Sequence, residues 1–177
     1  MSDHGGMLMS ACNTITLNVA HSFNASPCAV YDAWLNPQIA KRFLFASDEG
    51  RVIRADIDPK VGGHFLVIDR RPTGDAVHYG VFLELRRPRR MVFCFSAAEH
   101  DHNADRIQID IEPLAEGTRL TLSHEMCAEW GQFEEQTRQG WVHVMQGLER
   151  ELEAMQVVNA PEIVAQAASE PSKASAP

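Results

Sequence analysis

The stretch EWGQFEEQTRQGWVHVMQGLERELEAMQVV, Glu129 to Val158, decides how this chain folds. At helical spacing, Phe133, Thr137, Trp141, Val144, Met145, Leu148, Leu152 and Met155 fall on one stripe. Glu134, Glu135, Arg138, Gln139, Gln146, Glu149, Arg150 and Glu153 fall opposite. This pattern predicts one long amphipathic helix with a wide apolar face. Gly140 and Gly147 sit inside it, each costing about 1 kcal/mol against alanine in a helix interior. Glycines kept at that cost point to close approach by something outside the helix. The expectation is a backbone that settles near a sheet at Gly140, with Trp141 filling or bounding a cavity.

The partner of that helix lies upstream. Thr14 to Phe23 alternates strictly, with Ile15, Leu17, Val19, His21 and Phe23 on one side, which predicts a strand. Ser26-Pro27 and Asn36-Pro37 each pair a capping side chain with a proline at the first helical position, so two short helices follow. Further strands are predicted at Arg51–Ile57, His64–Arg70, Val77–Leu85, Met91–Ser96, Arg106–Glu112 and Thr118–Met126. The short turns between them imply antiparallel pairing. In Val77–Leu85 the single alternation places Val77, Tyr79, Val81, Leu83 and Leu85 on one face. In the last two strands Ile107, Ile109, Ile111, Leu120, Leu122 and His124 form a dry face against a wet one. That is a sheet covered on one side, and the long helix is the only segment large enough to cover it. The expected class is α+β: a seven-stranded antiparallel curved sheet, two short helices and a long C-terminal helix. The ordered domain is expected over 14–158, after a flexible leader (1–13) and before a disordered Ala/Ser/Pro-rich tail (159–177).

Composition excludes several functions. The formal net charge of −8 over 177 residues argues against nucleic acid or anionic membrane as a partner. Arg86-Arg87-Pro88-Arg89-Arg90 reads as a solvated hairpin turn. No apolar run is long enough for a membrane span, and the N-terminus lacks a secretory pattern, so a cytoplasmic protein is expected. Cys12, Cys28, Cys94 and Cys127 are scattered without metal or redox spacing, which predicts incidental thiols rather than a disulfide. Glu99 with His100-Asp101-His102 invites a metal reading, but no second cluster at fixed spacing supports it. No metal, cofactor or catalytic set is expected: Glu84, Cys94 and Asp110 fall on wet strand faces, and Gly62-Gly63 opens a strand rather than a phosphate-binding helix.

Several motifs carry a family resemblance. Ala25-Ser26-Pro27 with Val30, Ala33-Trp34 and Pro37 resembles the opening of the START-like superfamily, the polyketide cyclase, lipid-transfer and birch-pollen-allergen group. Val61-Gly62-Gly63-His64-Phe65, Gly80 before Leu83-Glu84-Leu85, Gly117 to His124, and Gly140-Trp141 resemble the branch named after the activator of the heat-shock-protein-90 ATPase. The likeness runs from Thr14 to Met155. One departure is Phe43-Leu44, where members of the branch often carry a tryptophan.

The resemblance implies a helix-grip fold with a cavity between sheet and long helix that holds a small hydrophobic or aromatic molecule. The lining it implies is Trp34, Phe43, Tyr79, Val81, Phe93, Phe95, Ile109, Leu122, His124, Trp141, Met145 and Leu148. His124 then reads as a polar anchor or proton donor, or as a core histidine with both nitrogens satisfied. Three functions stay open: non-enzymatic ligand binding, cyclase-, aromatase- or hydrolase-like chemistry using His124 and Tyr79, and modulation of a chaperone or stress pathway. A homodimer is also compatible with such domains.

Overall fold

Alternation in Thr14–Phe23 produces β1, with Leu17, Val19 and Phe23 buried, His21 half-buried on the same face, and Asn18, Ala20 and Ser22 exposed. The computed structural model describes residues 13–97, 99 and 104–159. The leader and tail, apart from Asn13 and Asn159, and the His100-Asp101-His102 stretch lie outside the described residues. After β1, Ser26 Oγ accepts the Ala29 N–H at 3.2 Å and starts α1 (Pro27–Leu35). Asn36 Oδ1 accepts the Gln38 N–H at 3.0 Å and starts α2 (Pro37–Ala40). Both caps satisfy N–H groups that a helix start leaves unpaired.

The strands β2 (Arg51–Ile57), β3 (His64–Arg71), β4 (Gly74–Arg86), β5 (Arg90–Ser96), β6 (Asp105–Pro113) and β7 (Thr118–Cys127) complete one curved sheet. All its pairings are antiparallel, in the order β1-β7-β6-β5-β4-β3-β2. The long helix α3 (Glu134–Asn159) lies across the concave face. This is the expected helix-grip architecture. No helix among the described residues is long and apolar enough to cross a membrane.

Four details differ from the sequence reading. First, the long helix begins later. Ala128–Phe133 winds as a 3-10 turn, with the Glu134 N–H bonded to the Gly131 carbonyl. Gly131 weakens regular helix there. Phe133 and Met155 are exposed, so the buried stripe contracts to Trp141, Val144, Met145, Leu148 and Leu152.

Second, β4 carries a bulge between Phe82 and Glu84 that makes Leu83 an extra residue. A bulge reverses the phase of alternation. Before it, His78, Gly80 and Phe82 share the face of Val67, Phe65 and Phe93. Tyr79 and Val81 therefore point to the outer face, and Leu83 is 50% exposed.

Third, Cys127 is disulfide-bonded while Cys28 and Cys94 are free, so the expectation of four incidental thiols fails at Cys127. Its partner lies outside the described residues. Pairing of Thr14 with Cys127 brings the start of β1 alongside the end of β7. A disulfide depends on such spatial proximity and needs no short sequence spacing.

Fourth, the glycine that permits a close approach to α3 is Gly147, and what approaches is the turn after α2 rather than a strand. A Cβ there would lie 2.9 Å from Phe43 Cβ, whereas one at Gly140 would meet nothing within 4 Å. The basic run does form the β4–β5 hairpin, where Arg87 grips Asp32 through two bonds of 2.7 and 2.8 Å.

Candidate functional site

The concave face has two unlike ends. Toward the C-terminal half of α3, Ile109, Leu120, Leu122, Met145 and Leu148 are fully buried. Trp34 meets Phe43 edge to face at 5.5 Å. The expected lining residues Trp34, Phe43, Phe93, Ile109, Leu122, Met145 and Leu148 are thus core packing and border no large cavity. The space between Trp34, Phe45, Phe65, Phe82 and Phe93 amounts to about 10 Å³, no more than one water needs.

Toward the N-terminal half of α3 a cavity of about 610 Å³ opens. Phe95, His124 and Trp141 from the expected set border it. The rest of its wall was not read from the sequence: Phe45 to Asp48 after α2, Arg71 and His78 from the sheet, and Phe133, Gln136, Thr137, Gly140, His143 and Val144 from the helical side. Its size is within the range of small-molecule sites.

Phe45 forms the floor. It holds φ at +57°, a backbone conformation unusual for a bulky residue. Its ring stacks on His78 at 4.3 Å, on Phe95 at 5.1 Å and on Phe65 at 6.4 Å, with interplanar angles of 7°, 18° and 26°. Trp141 stands across this stack at 58°, 5.6 Å from Phe45. Gly80 makes the arrangement possible, because a Cβ there would lie 2.1 Å from the Phe65 ring.

His124 pairs with Leu17 and Ile107 on neighbouring strands and is 2% exposed. Trp141 Nε1–H donates to its Nδ1 at 2.9 Å. The ring proton therefore sits on Nε2, which donates to Asp105 Oδ2 at 2.9 Å. With both nitrogens engaged, His124 fixes Trp141 and has no free nitrogen for proton transfer. Tyr79 and Val81 border a different depression, with His64, Leu66 and Cys94 on the outer sheet face. His124 and Tyr79 do not converge on one point, so the acid/base pair read from the sequence is not assembled.

The polar groups at the open end include His78, Arg71, Ser47, Asp48 and His143, with Gln136 and Thr137 on the helical side. Burial, aided by the neighbouring Arg71 charge, lowers the His78 pKa from 6.5 to about 4. His78 is therefore neutral near pH 7. Asp69 is fully buried behind this end, and its Oδ2 accepts from Ser47 Oγ–H at 2.6 Å and Arg71 Nε–H at 2.8 Å. Gly50 lets the loop close over it, since a Cβ there would be 2.4 Å from Asp69 Oδ1. Asp48 lies at the rim, 3.7 Å from His143. No group of three or more metal-ligating side chains occurs among the described residues.

A one-sided curved sheet gripped by a terminal helix, with a ring-lined cavity at one end, defines a helix-grip protein. Comparison with known proteins narrows the class. The chain matches the model of the family described as Activator of Hsp90 ATPase homolog 1-like protein over residues 24–153. It belongs to that family. Among solved structures, a protein from Nitrosomonas europaea superposes with a TM-score of 0.71 at 20% identity, covering 80% of this chain and 96% of that one. An AHSA1-like protein from Aeromonas hydrophila gives 0.69 at 20% identity, covering 81% and 95%. These likenesses establish the shared fold. The search of curated proteins found no match.

Proposed function

We propose that this protein binds a small planar, mostly apolar molecule in the cavity at the open end of the grip, without catalysis. The observation that carries the reading is the ring wall of Phe45, Phe95 and Trp141 around about 610 Å³, beside a closed end packed solid. Two hydrogen bonds in series hold that wall before any ligand arrives: Asp105 orients His124, and His124 orients Trp141. Pre-organisation lowers the ordering cost of binding. Absence of an assembled acid/base pair favours binding over the cyclase- or hydrolase-like alternative. Family membership alone gives no support for a chaperone partner, since function does not follow from fold.

A thermal-shift screen of planar aromatic and acyl compounds tests the proposal. A ligand at a hundred times its dissociation constant should add about 2.7 kcal/mol of stability. A screen in which no compound raises the melting temperature would remove the proposal's basis.

A further inference from the structure

The cavity wall holds one guanidinium that the packing leaves available. Arg71 borders the cavity, and Nε is its one bonded nitrogen among the described residues, donating to Asp69. Asp69 in turn is fully buried and steadied by Ser47. The arginine is thus held from behind through one edge, and its Nη N–H groups have no partner among the described residues. An anchored guanidinium with unpaired donors matches the two oxygens of a carboxylate.

The apolar part of the site limits what can carry that carboxylate. The Phe45, His78 and Phe95 rings lie within 18° of parallel where Phe45 meets them, a flat surface suited to another ring. Behind Phe45 only about 10 Å³ is open, so a long acyl chain has no channel to enter. His78, neutral near pH 7, adds no second positive charge. Asp69 balances Arg71, and Asp48 stands at the rim. The attraction is therefore directional hydrogen bonding at short range rather than a broad positive field.

From this we infer that the ligand class is an aromatic carboxylic acid, its ring against Phe45, Phe95 and Trp141 and its carboxylate on Arg71. The inference rests on the cavity reading above.

Calorimetric titration of the full-length protein at pH 7.5 with 2-naphthoate, 2-naphthamide and decanoate tests it. The expected result is 2-naphthoate binding about tenfold or more tighter than its neutral amide, the scale of a hydrogen bond to a charged group. Arg71→Met should erase that preference while 2-naphthamide still binds. Arg71→Lys should keep part of it, because a point charge replaces a planar fork. Equal affinity for acid and amide in the wild type would overturn the acid assignment and leave the cavity reading standing. A preference that survives Arg71→Met would overturn the role of Arg71. Decanoate binding as tightly as 2-naphthoate would overturn the aromatic part. If neither naphthalene compound binds, this inference and the cavity reading fall together. The wild-type comparison needs no variant, so a poorly folded mutant leaves the inference falsifiable.

Discussion

The two halves of α3 cover the same sheet in opposite ways. Around Gly147 the helix packs so tightly on the turn after α2, at the closed end of the sheet, that a Cβ would meet Phe43 at 2.9 Å. Around Gly140, two turns earlier, the space in front of the helix is open and the cavity begins. His21–Glu149 at 3.0 Å and Arg42–Glu151 at 3.2 Å tie down the close half. The difference teaches that one helix serves as both core and lid. The buried stripe from Trp141 to Leu152 supplies core packing, and the first turns of the helix also border the site.

The sharpest way to break this division is to truncate one residue in the filled part of α3 and one at the cavity edge, in the 3-10 turn that leads into the helix. Leu148→Ala, in the filled half, should cost about 2–5 kcal/mol in chemical denaturation. Phe133→Ala, at the cavity edge and 42% exposed, should stay within about 0.5 kcal/mol. Similar losses in the two variants would show that the two places are energetically alike.

Titration tests the open end. His78 is held below its ordinary pKa of 6.5, at about 4, by burial and the Arg71 charge. Between those values the unfolded chain binds a proton that the folded protein refuses. Stability from this group is therefore fully present above pH 6.5 and is lost as the pH falls toward 4, by about 3 kcal/mol in all. Urea melts from pH 7 to 4 should show a smaller loss for His78→Phe than for the wild type. Parallel curves would mean that His78 is not held neutral.

The glycines give the smallest effects and opposite signs. Gly147→Ala forces Phe43 to shift and should destabilise by about 1–3 kcal/mol, overpacking outweighing helix propensity. Gly140→Ala meets open space and should stabilise by up to about 1 kcal/mol. Matching signs in thermal melts would contradict the contrast drawn between the two positions.

The sequence made the strand–helix order legible because alternation, capping residues and turn residues are local signals. β1 was expected at Thr14–Phe23 and is found there. The site was less legible because its geometry depends on events that periodicity does not carry. A single bulged residue, Leu83, put His78 in the place expected for Tyr79 and sent Tyr79 to the outer face. The available clue was Phe82, an aromatic in phase with Gly80 rather than with Tyr79. Phe45, the hub of the ring stack, lies in a short turn whose positive φ no pattern announces. Arg71 lies just past the strand expected over His64–Arg70, and its tie to Asp69, on the buried face of that strand, depends on side-chain packing that alternation does not report. His124 and Trp141 were correctly placed at the sheet–helix interface, but their mutual hydrogen bond arises only from tertiary packing.

Chemical-shift mapping by NMR with a planar aromatic ligand tests the central claim most directly. The account predicts perturbations at Phe45, His78, Phe95, Gly140 and Trp141, with Ile109, Leu122 and Leu148 unmoved. Perturbations centred on Leu148 or on the outer-face Tyr79, or none at saturating ligand, would contradict it.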